Sequence, residues 1–397
     1  MNWLFKYTYG DRVIWLVIIL LSMFSILAVY SSTGTLAYKM QGGNTEYYLF
    51  KHGAIVFVGF IILLGSHLIK YTYYSRIAQI ALFISIPLLL FTLIWGSHYN
   101  QANRWITLPV INMSFQTSDF AKLALIMYLA RSLSRRQENI KDFKGAFVPI
   151  IIPVLIICAL ILPANLSTAA LLFMTCLLVM FIGRVSMKYI LLLIAAGVIC
   201  FMFFISISLL TKKTGRITTW VARIENFMHP VEDDDGNYQA QHAKIAVAAN
   251  GVLGKGPGNS TQRNFLPEAY SDYIYAIIIE EYGFPGGAAV LILYLILFHR
   301  TIRIVKKSPR AFASLLAVGC GFMLVFQAMV NMAVAVNLFP VTGQPLPFVS
   351  MGGTSIWFTS ISLGIILSVS RDLEQEENKI SKDNSNQIHP ESLEVSY

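Results

Sequence analysis

Ten apolar stretches, at roughly 13–30, 51–69, 77–96, 117–133, 147–163, 166–183, 187–210, 272–299, 311–336 and 352–370, dominate this 397-residue chain. Each is close to the ~20 residues that a helix needs to cross the hydrocarbon core of a bilayer. A chain built this way is not a soluble domain, a disordered polymer or a coiled coil. The fold class expected is an all-α polytopic membrane protein with ten transmembrane helices. Only 13% of the residues are charged, about half the share usual in a soluble domain. The first stretch is too long for the apolar region of a signal peptide, and no small-x-small cleavage site follows it. It is expected to be an uncleaved first helix.

The net charge of +9 invites a nucleic-acid reading, which the placement of the charges excludes. Alternate short connections at 1–12, 70–76, 131–146, 184–188 and 300–310, together with the tail, carry 19 Lys/Arg, whereas the opposite short loops hold only Lys39, Lys51 and Arg104. Positive charge concentrates on the cytoplasmic side of membrane proteins. The asymmetry therefore predicts cytoplasmic N- and C-termini, a basic cytoplasmic loop at 131–146 and a long extracytoplasmic loop at about 211–271 between helices 7 and 8. Residues 1–370 read as one membrane domain and 371–397 as a disordered cytoplasmic tail. Cys158, Cys176, Cys200 and Cys320 fall inside apolar stretches and are expected as buried free thiols.

Apart from Lys51, Arg131 and Lys188, counted with the flanking loops, five Asp, Glu or Lys residues enter the apolar stretches or their mouths: Asp119, Lys122, Asp272, Glu280 and Glu281. Such groups are costly in hydrocarbon and mark either function or a structural ion pair. Asp119 and Lys122 are three residues apart, so they share a helix face and can pair. Both lie just below the outer surface, and Asp272 sits at the outer mouth of the eighth stretch. Glu280 follows it by eight residues, about 80° round the helix and roughly 12 Å deeper. Glu281 points the other way and is expected to support another helix. Two readings stand open here. Either these charges converge on an outer-face site, or Asp119–Lys122 is a structural salt bridge and Asp272 caps a helix.

Arg104 beside Trp105 suits a lipid phosphate or a sugar face, and equally an ordinary interfacial anchor. The segment NLFPVTGQPLPFVSMGGTS at 337–355 has three prolines, three glycines and no charge. Such backbone is not regular helix, and at membrane depth it must line a cavity or be buried in protein. A re-entrant loop is expected. The glycine-rich run at 251–260 lacks the GxxxxGK[ST] spacing of a P-loop. It reads as a mobile turn, with an anion nest as the alternative. No His or Cys spacing suggests a metal site, and no nucleophile–base set stands out.

These motifs together resemble the SEDS family (shape, elongation, division and sporulation), the FtsW/RodA/SpoVE membrane glycosyltransferases. The resemblance is carried by NRWITLP…FQTSDFAK at 103–122, LPEAYSDYIYAIIIEEYG at 266–283 and PVTGQPLPFVSMGGTS at 340–355, in that order, and covers about 10–370. It implies a ten-helix membrane fold and polymerisation of lipid II into peptidoglycan glycan strands, by inverting displacement of undecaprenyl diphosphate. It places the catalytic aspartate on Asp272, as general base or metal ligand, and the acid and lysine of the fourth helix on Asp119 and Lys122. Lys122, Asp119, Arg104, Trp105, Glu280, Ser350, Gly352 and Gly353 are then expected to bind substrate. A divalent cation (Mg or Mn) at Asp272 is an open option and no organic cofactor is implied.

The run GPGNSTQRNFLPEAY is more similar to the division branch, FtsW, than to RodA. That branch implies a class B penicillin-binding transpeptidase and other divisome proteins as partners, at the septum. This sequence departs from the family pattern at Thr117 and Asp119, where Pro and Glu are usual. Asn165 stands where the family has Asp, and Asn250-Gly251 where it has Gly-Gly. A RodA-like elongation polymerase, a lipid II flippase and a division scaffold that only binds the transpeptidase are the competing readings.

Overall fold

A computed structural model describes residues 9–99, 102–108, 113–211, 223, 225–228, 235–248 and 251–388. Each of the ten apolar stretches carries one helix. In chain order these are α1 (Arg12–Ser32), α3 (Thr45–Leu68), α4 (Tyr71–Trp95), α5 (Thr117–Arg135), α6 (Val148–Ile161), α7 (Leu166–Ile182), α8 (Met187–Thr211), α10 (Ile274–Lys307), α11 (Ala311–Ala335) and α12 (Thr354–Ile388). Between them lie a short helix α2 (Gly34–Gln41) and α9 (Asp235–Ala248), which falls within the long connection between α8 and α10. Among the described residues, seven helices are long and apolar enough to cross a membrane, and Leu166–Ile182 and Met187–Phe203 are shorter apolar helices.

The expectation of an all-helical chain needs one correction. Three short strands make an antiparallel sheet, β1 (Ser97–Tyr99), β2 (Ala102–Leu108) and β3 (Met113–Gln116). Trp105 pairs with Gln116 and Thr107 with Ser114 across β2 and β3. The β-branched and aromatic run RWIT suits a strand, and pairing satisfies backbone that no helix would.

Helix α5 is not among the apolar spans because it carries Asp119, Lys122, Arg131 and Arg135. It is nonetheless deeply buried, with Ala121, Ala124, Leu125, Ile126, Leu129 and Leu133 inaccessible. It packs on α4, α6, α7 and α11 and forms the core with α11. Charges on such a helix face protein, not lipid. Association between apolar helices rests on close contact rather than on escape from water. A Cβ on Gly364 of α12 would sit 2.7 Å from the Leu63 carbonyl of α3, and one on Gly321 of α11 would sit 2.6 Å from Thr301 of α10.

Helix α10 is interrupted where the sequence requires it. Pro285 has no N–H, which frees the carbonyl of Glu281 four residues earlier. Gly283 takes φ 66°, ψ −164°. The glycine-rich run fills the break. Lys255 N–H donates to the Glu280 carbonyl and Gly256 N–H to the Glu281 carbonyl, both at 2.9 Å, and Phe284 N–H donates to the Val252 carbonyl at 3.0 Å. Cβ atoms here would lie 2.4 Å from Gly283 N (on Gly254) and 2.2 Å from Val252 O (on Gly283). The run expected to be a mobile turn or an anion nest is therefore a strap docked into a helix break.

Two further expectations change. Residues 371–388, read as disordered, continue α12. The acidic stretch after Arg371 meets cationic partners: Glu376 pairs with Arg310 at 2.6 Å and Glu377 with Lys307 at 2.9 Å, while Glu374 accepts from Gly10 N–H at 2.8 Å. Residues 389–397 lie outside the described residues. All four cysteines are free, but Cys200 is exposed on α8, whereas the other three are buried.

Candidate functional site

The turn before α10 holds Asp272 half-buried, with the Ser271 hydroxyl donating to Asp272 Oδ1 at 3.1 Å. The irregular segment 337–353 closes over this turn. Ser350 Oγ donates to the Ser271 carbonyl at 2.6 Å and accepts from Leu346 N–H at 2.7 Å. Met351 N–H donates to the Tyr270 carbonyl at 2.9 Å. At Gly343 (φ +63°) a Cβ would lie 3.4 Å from Asp272 Oδ2, so the backbone approaches the carboxylate closely. The non-helical backbone expected at 337–355 is present up to residue 353; Gln344 and residues 346–350 are buried in protein, as polar backbone at membrane depth requires, whereas Leu338 and Phe339 are exposed. Behind it, the Ser25 hydroxyl donates to the Val349 carbonyl at 2.9 Å and bonds His52 Nε2 at 2.7 Å.

On α5, Lys122 Nζ lies 2.8 Å from Asp119 Oδ1, the pair expected from their spacing. Both side chains are buried. Asp119 Oδ2 has no hydrogen-bond partner among the described residues. Lys122 Nζ also donates to Gln327 Oε1 of α11 at 3.2 Å, and Gln327 Nε2 donates to the Pro345 carbonyl at 2.9 Å. One turn later Asn331 Nδ2 donates to the carbonyls of Gln344 (2.7 Å) and Asp272 (2.9 Å). Gln344 Nε2 in turn reaches Thr168 Oγ1 on α7 at 2.7 Å. The two amides of α11 thus connect the Lys122 pair and the Asp272 turn to one stretch of irregular backbone. Gln327, Asn331 and Gln344 are not among the site residues that the sequence motifs single out. The signal was there: two amides four residues apart in an otherwise apolar helix share one face.

The remaining candidates divide. Gly352 and Gly353 lead into α12, where Thr354 Oγ1 donates to the Ser114 carbonyl (3.3 Å) and accepts from Gln116 N–H (3.2 Å), so the sheet rests on the same junction. Trp105 is half-buried on β2, and the backbone of Arg104 lies in that strand. The Arg104 side chain lies outside the described residues, as does Asn250. Glu280, expected to bind substrate, is inaccessible, and the strap surrounds its carboxylate. It accepts from Lys255 Nζ (2.8 Å), Thr261 N–H (3.0 Å), Thr261 Oγ1 (2.9 Å), Gln262 N–H (3.2 Å) and the Ser260 hydroxyl. Its carboxylate holds residues 255–262 together. Glu281 accepts from the Ser31 hydroxyl and from Ser260 N–H (3.3 Å), which links α10 to α1 as its opposite direction suggested. Asn165 is the N-cap of α7, accepting from Thr168 N–H at 3.3 Å. Asn caps as well as Asp, so that role survives the departure from the family pattern. No group of three or more His, Cys, Asp or Glu side chains that could hold a metal ion occurs among the described residues.

The family profile described as Cell cycle protein, FtsW/RodA/SpoVE, matches residues 11–375. The probable peptidoglycan glycosyltransferase FtsW of Trichlorobacter lovleyi is 33% identical over 374 residues, 93% of this chain and 95% of that protein. Stage V sporulation protein E of Bacillus subtilis is 32% identical over 375 residues, covering 92% of this chain and 98% of its own. A chain from a peptidoglycan synthase complex, described as structurally coordinating polymerization and crosslinking, superposes with a TM-score of 0.75 at 23% identity, over 92% of this chain and 99% of that one. Thermus thermophilus rod shape determining protein RodA gives 0.65 at 21% identity, over 91% and 97%. At these identities the structures speak for the fold alone, while the sequence matches run through all three motifs: the chain belongs to the FtsW/RodA/SpoVE family.

Proposed function

We propose that this protein is a peptidoglycan glycosyltransferase. It polymerises lipid II on the outer face of the cytoplasmic membrane, at the septum during division. The observation that carries the reading is the shared anchoring of the Asp272 turn and the Lys122 pair on segment 343–350. Extending a glycan strand with inversion requires a base on the attacking 4-hydroxyl and positive charge near the departing diphosphate. Asp272 supplies the first. Lys122, oriented by Asp119, supplies the second, with Arg104 and Trp105 on the sheet contacting phosphate or saccharide. In this reading all ten long helices cross the membrane, both termini are cytoplasmic and residues 212–273 face outward.

A single carboxylate at Asp272 suits a cation such as Mg, which keeps several waters and is held largely by substrate phosphates. When bound, it would neutralise charge on the diphosphate. A class B penicillin-binding transpeptidase is the partner proposed. The support is the similarity to a chain of a complex described as coordinating polymerization and crosslinking. The septal assignment rests on the FtsW and sporulation relatives. A fluorescent fusion distributed along the side wall would replace it with elongation.

The decisive measurement is glycan synthesis by purified protein from lipid II with and without Mg. Wild type is expected to make strands. Asp272→Asn is expected to lose roughly 10²–10⁴-fold in rate, the usual share of a general base, while remaining folded. Undiminished polymerisation by Asp272→Asn would overturn its role. Transbilayer movement of labelled lipid II without polymerisation would favour a flippase.

A further inference from the structure

Helix α11 offers its candidate-site neighbours two buried amides, and their hydrogen bonds are not alike. Asn331 gives its N–H donors to two backbone carbonyls, Gln344 and Asp272. That arrangement satisfies backbone polar groups at membrane depth, a demand any such fold must meet. Gln327 does this with only one end. Its Nε2 donates to the Pro345 carbonyl at 2.9 Å, while its Oε1 accepts from Lys122 Nζ at 3.2 Å. The carbonyl end is not needed by the backbone.

The ammonium of Lys122 therefore lies between two oxygens from different helices. One is the Asp119 carboxylate, on its own helix at 2.8 Å, and the other is the neutral Gln327 amide oxygen. Lysine is a flexible, freely rotating point charge and does not fix its own direction. Asp119 alone would hold it against α5. A second acceptor on α11 draws it toward the segment that also bonds the Asp272 turn. Because that acceptor is uncharged, Lys122 keeps a single counter-charge. A carboxylate in place of the amide would surround one ammonium with two acids.

We propose that Gln327 is a positioning residue that aims Lys122 by accepting its hydrogen bond without neutralising it. This rests on the proposed polymerase reading for its kinetic consequence, but not for the contact itself. No described atom of Asp119 bonds Gln327 directly, so any coupling between the two positions runs through Lys122.

The test exploits that. Three variants are made: Gln327→Glu, Asp119→Asn, and the two combined, which moves the counter-charge from one side of Lys122 to the other. Polymerisation rate and thermal unfolding midpoint are measured on each. Gln327→Glu alone is expected to lower the rate at least tenfold and to lower the midpoint. The combination is expected to regain at least tenfold in rate over Gln327→Glu and to regain midpoint over both single variants. A role for Gln327 confined to the Pro345 carbonyl predicts no such recovery, since Asp119 does not touch Pro345. Single-variant losses that simply multiply, or a Gln327→Glu protein with wild-type rate, would overturn the proposal. If wild type makes no glycan, the polymerase reading fails, and the crossing pattern of the unfolding midpoints still decides the Lys122 contact.

Discussion

Asp119 and Glu280 are both buried acids in the first two turns of α5 and α10, yet they are used in opposite ways. Glu280 is fully inaccessible, and both its oxygens are engaged by donors from residues 255–262. Asp119 is 5% exposed, pairs with Lys122 through one oxygen and leaves the other without a partner among the described residues. A buried acid saturated by donors fixes structure, because every donor would be stranded without it. A buried acid with spare capacity, tied to a mobile ammonium, is the one with something left to bind. Charge, burial and helix position alone would have ranked the two alike.

The difference can be broken at either end. The largest stability effect is expected from Glu280→Ala, which strands the surrounding donors. The Lys255 side chain is 32% exposed and can be rehydrated, so the loss expected is the ~1–3 kcal/mol of buried donors left unsatisfied. It should appear as a lowered unfolding midpoint and new proteolytic cleavage within 251–263. Asp119→Asn should lower the polymerisation rate at least tenfold while leaving 251–263 as protected as in wild type. If cleavage there rises equally in both variants, the contrast between a structural and a functional acid fails.

A smaller effect sharpens the same point at the α7 cap. Asn165→Asp restores the family's usual residue but changes only the charge at a helix N-terminus, worth about 0.3–1 kcal/mol. Stability should rise by no more than that, and the rate should stay within threefold. A tenfold gain in rate would show that the position serves catalysis by charge rather than by capping. The smallest effect is expected at Lys307, whose pair with Glu377 is more than half exposed on both sides. Lys307→Ala should cost under ~1 kcal/mol, read from the unfolding midpoint.

Much of this was legible from residues. The ten helices follow from apolar runs, the Asp119–Lys122 pair from helical spacing, and the irregular backbone at 337–353 from its prolines and glycines. Where reading failed, the deciding partner was distant in sequence. Nothing local to Glu280 shows that residues 255–262 return to surround its carboxylate. The docking of that run depends on Pro285 freeing a carbonyl that a distant glycine strap can reach. The three strands β1–β3 are too short, and alternate too weakly, to stand out from a loop in the sequence. The continuation of α12 past Arg371 brings Glu376 and Glu377 to Arg310 and Lys307, partners that lie more than 60 residues away in sequence.

The sequence by itself determined the solvent of each segment, the period of each helix and the few positions where charge enters apolar surroundings. These are local properties, written in hydropathy, spacing and the missing N–H of proline. Only the tertiary structure decided which buried polar groups meet. It placed Gln327 between Lys122 and Pro345, Asn331 between Gln344 and Asp272, and the strap around Glu280. The physical reason is that apolar helix faces are chemically alike, so which face packs on which, and hence which amide meets which ion, is settled by close packing across the whole bundle.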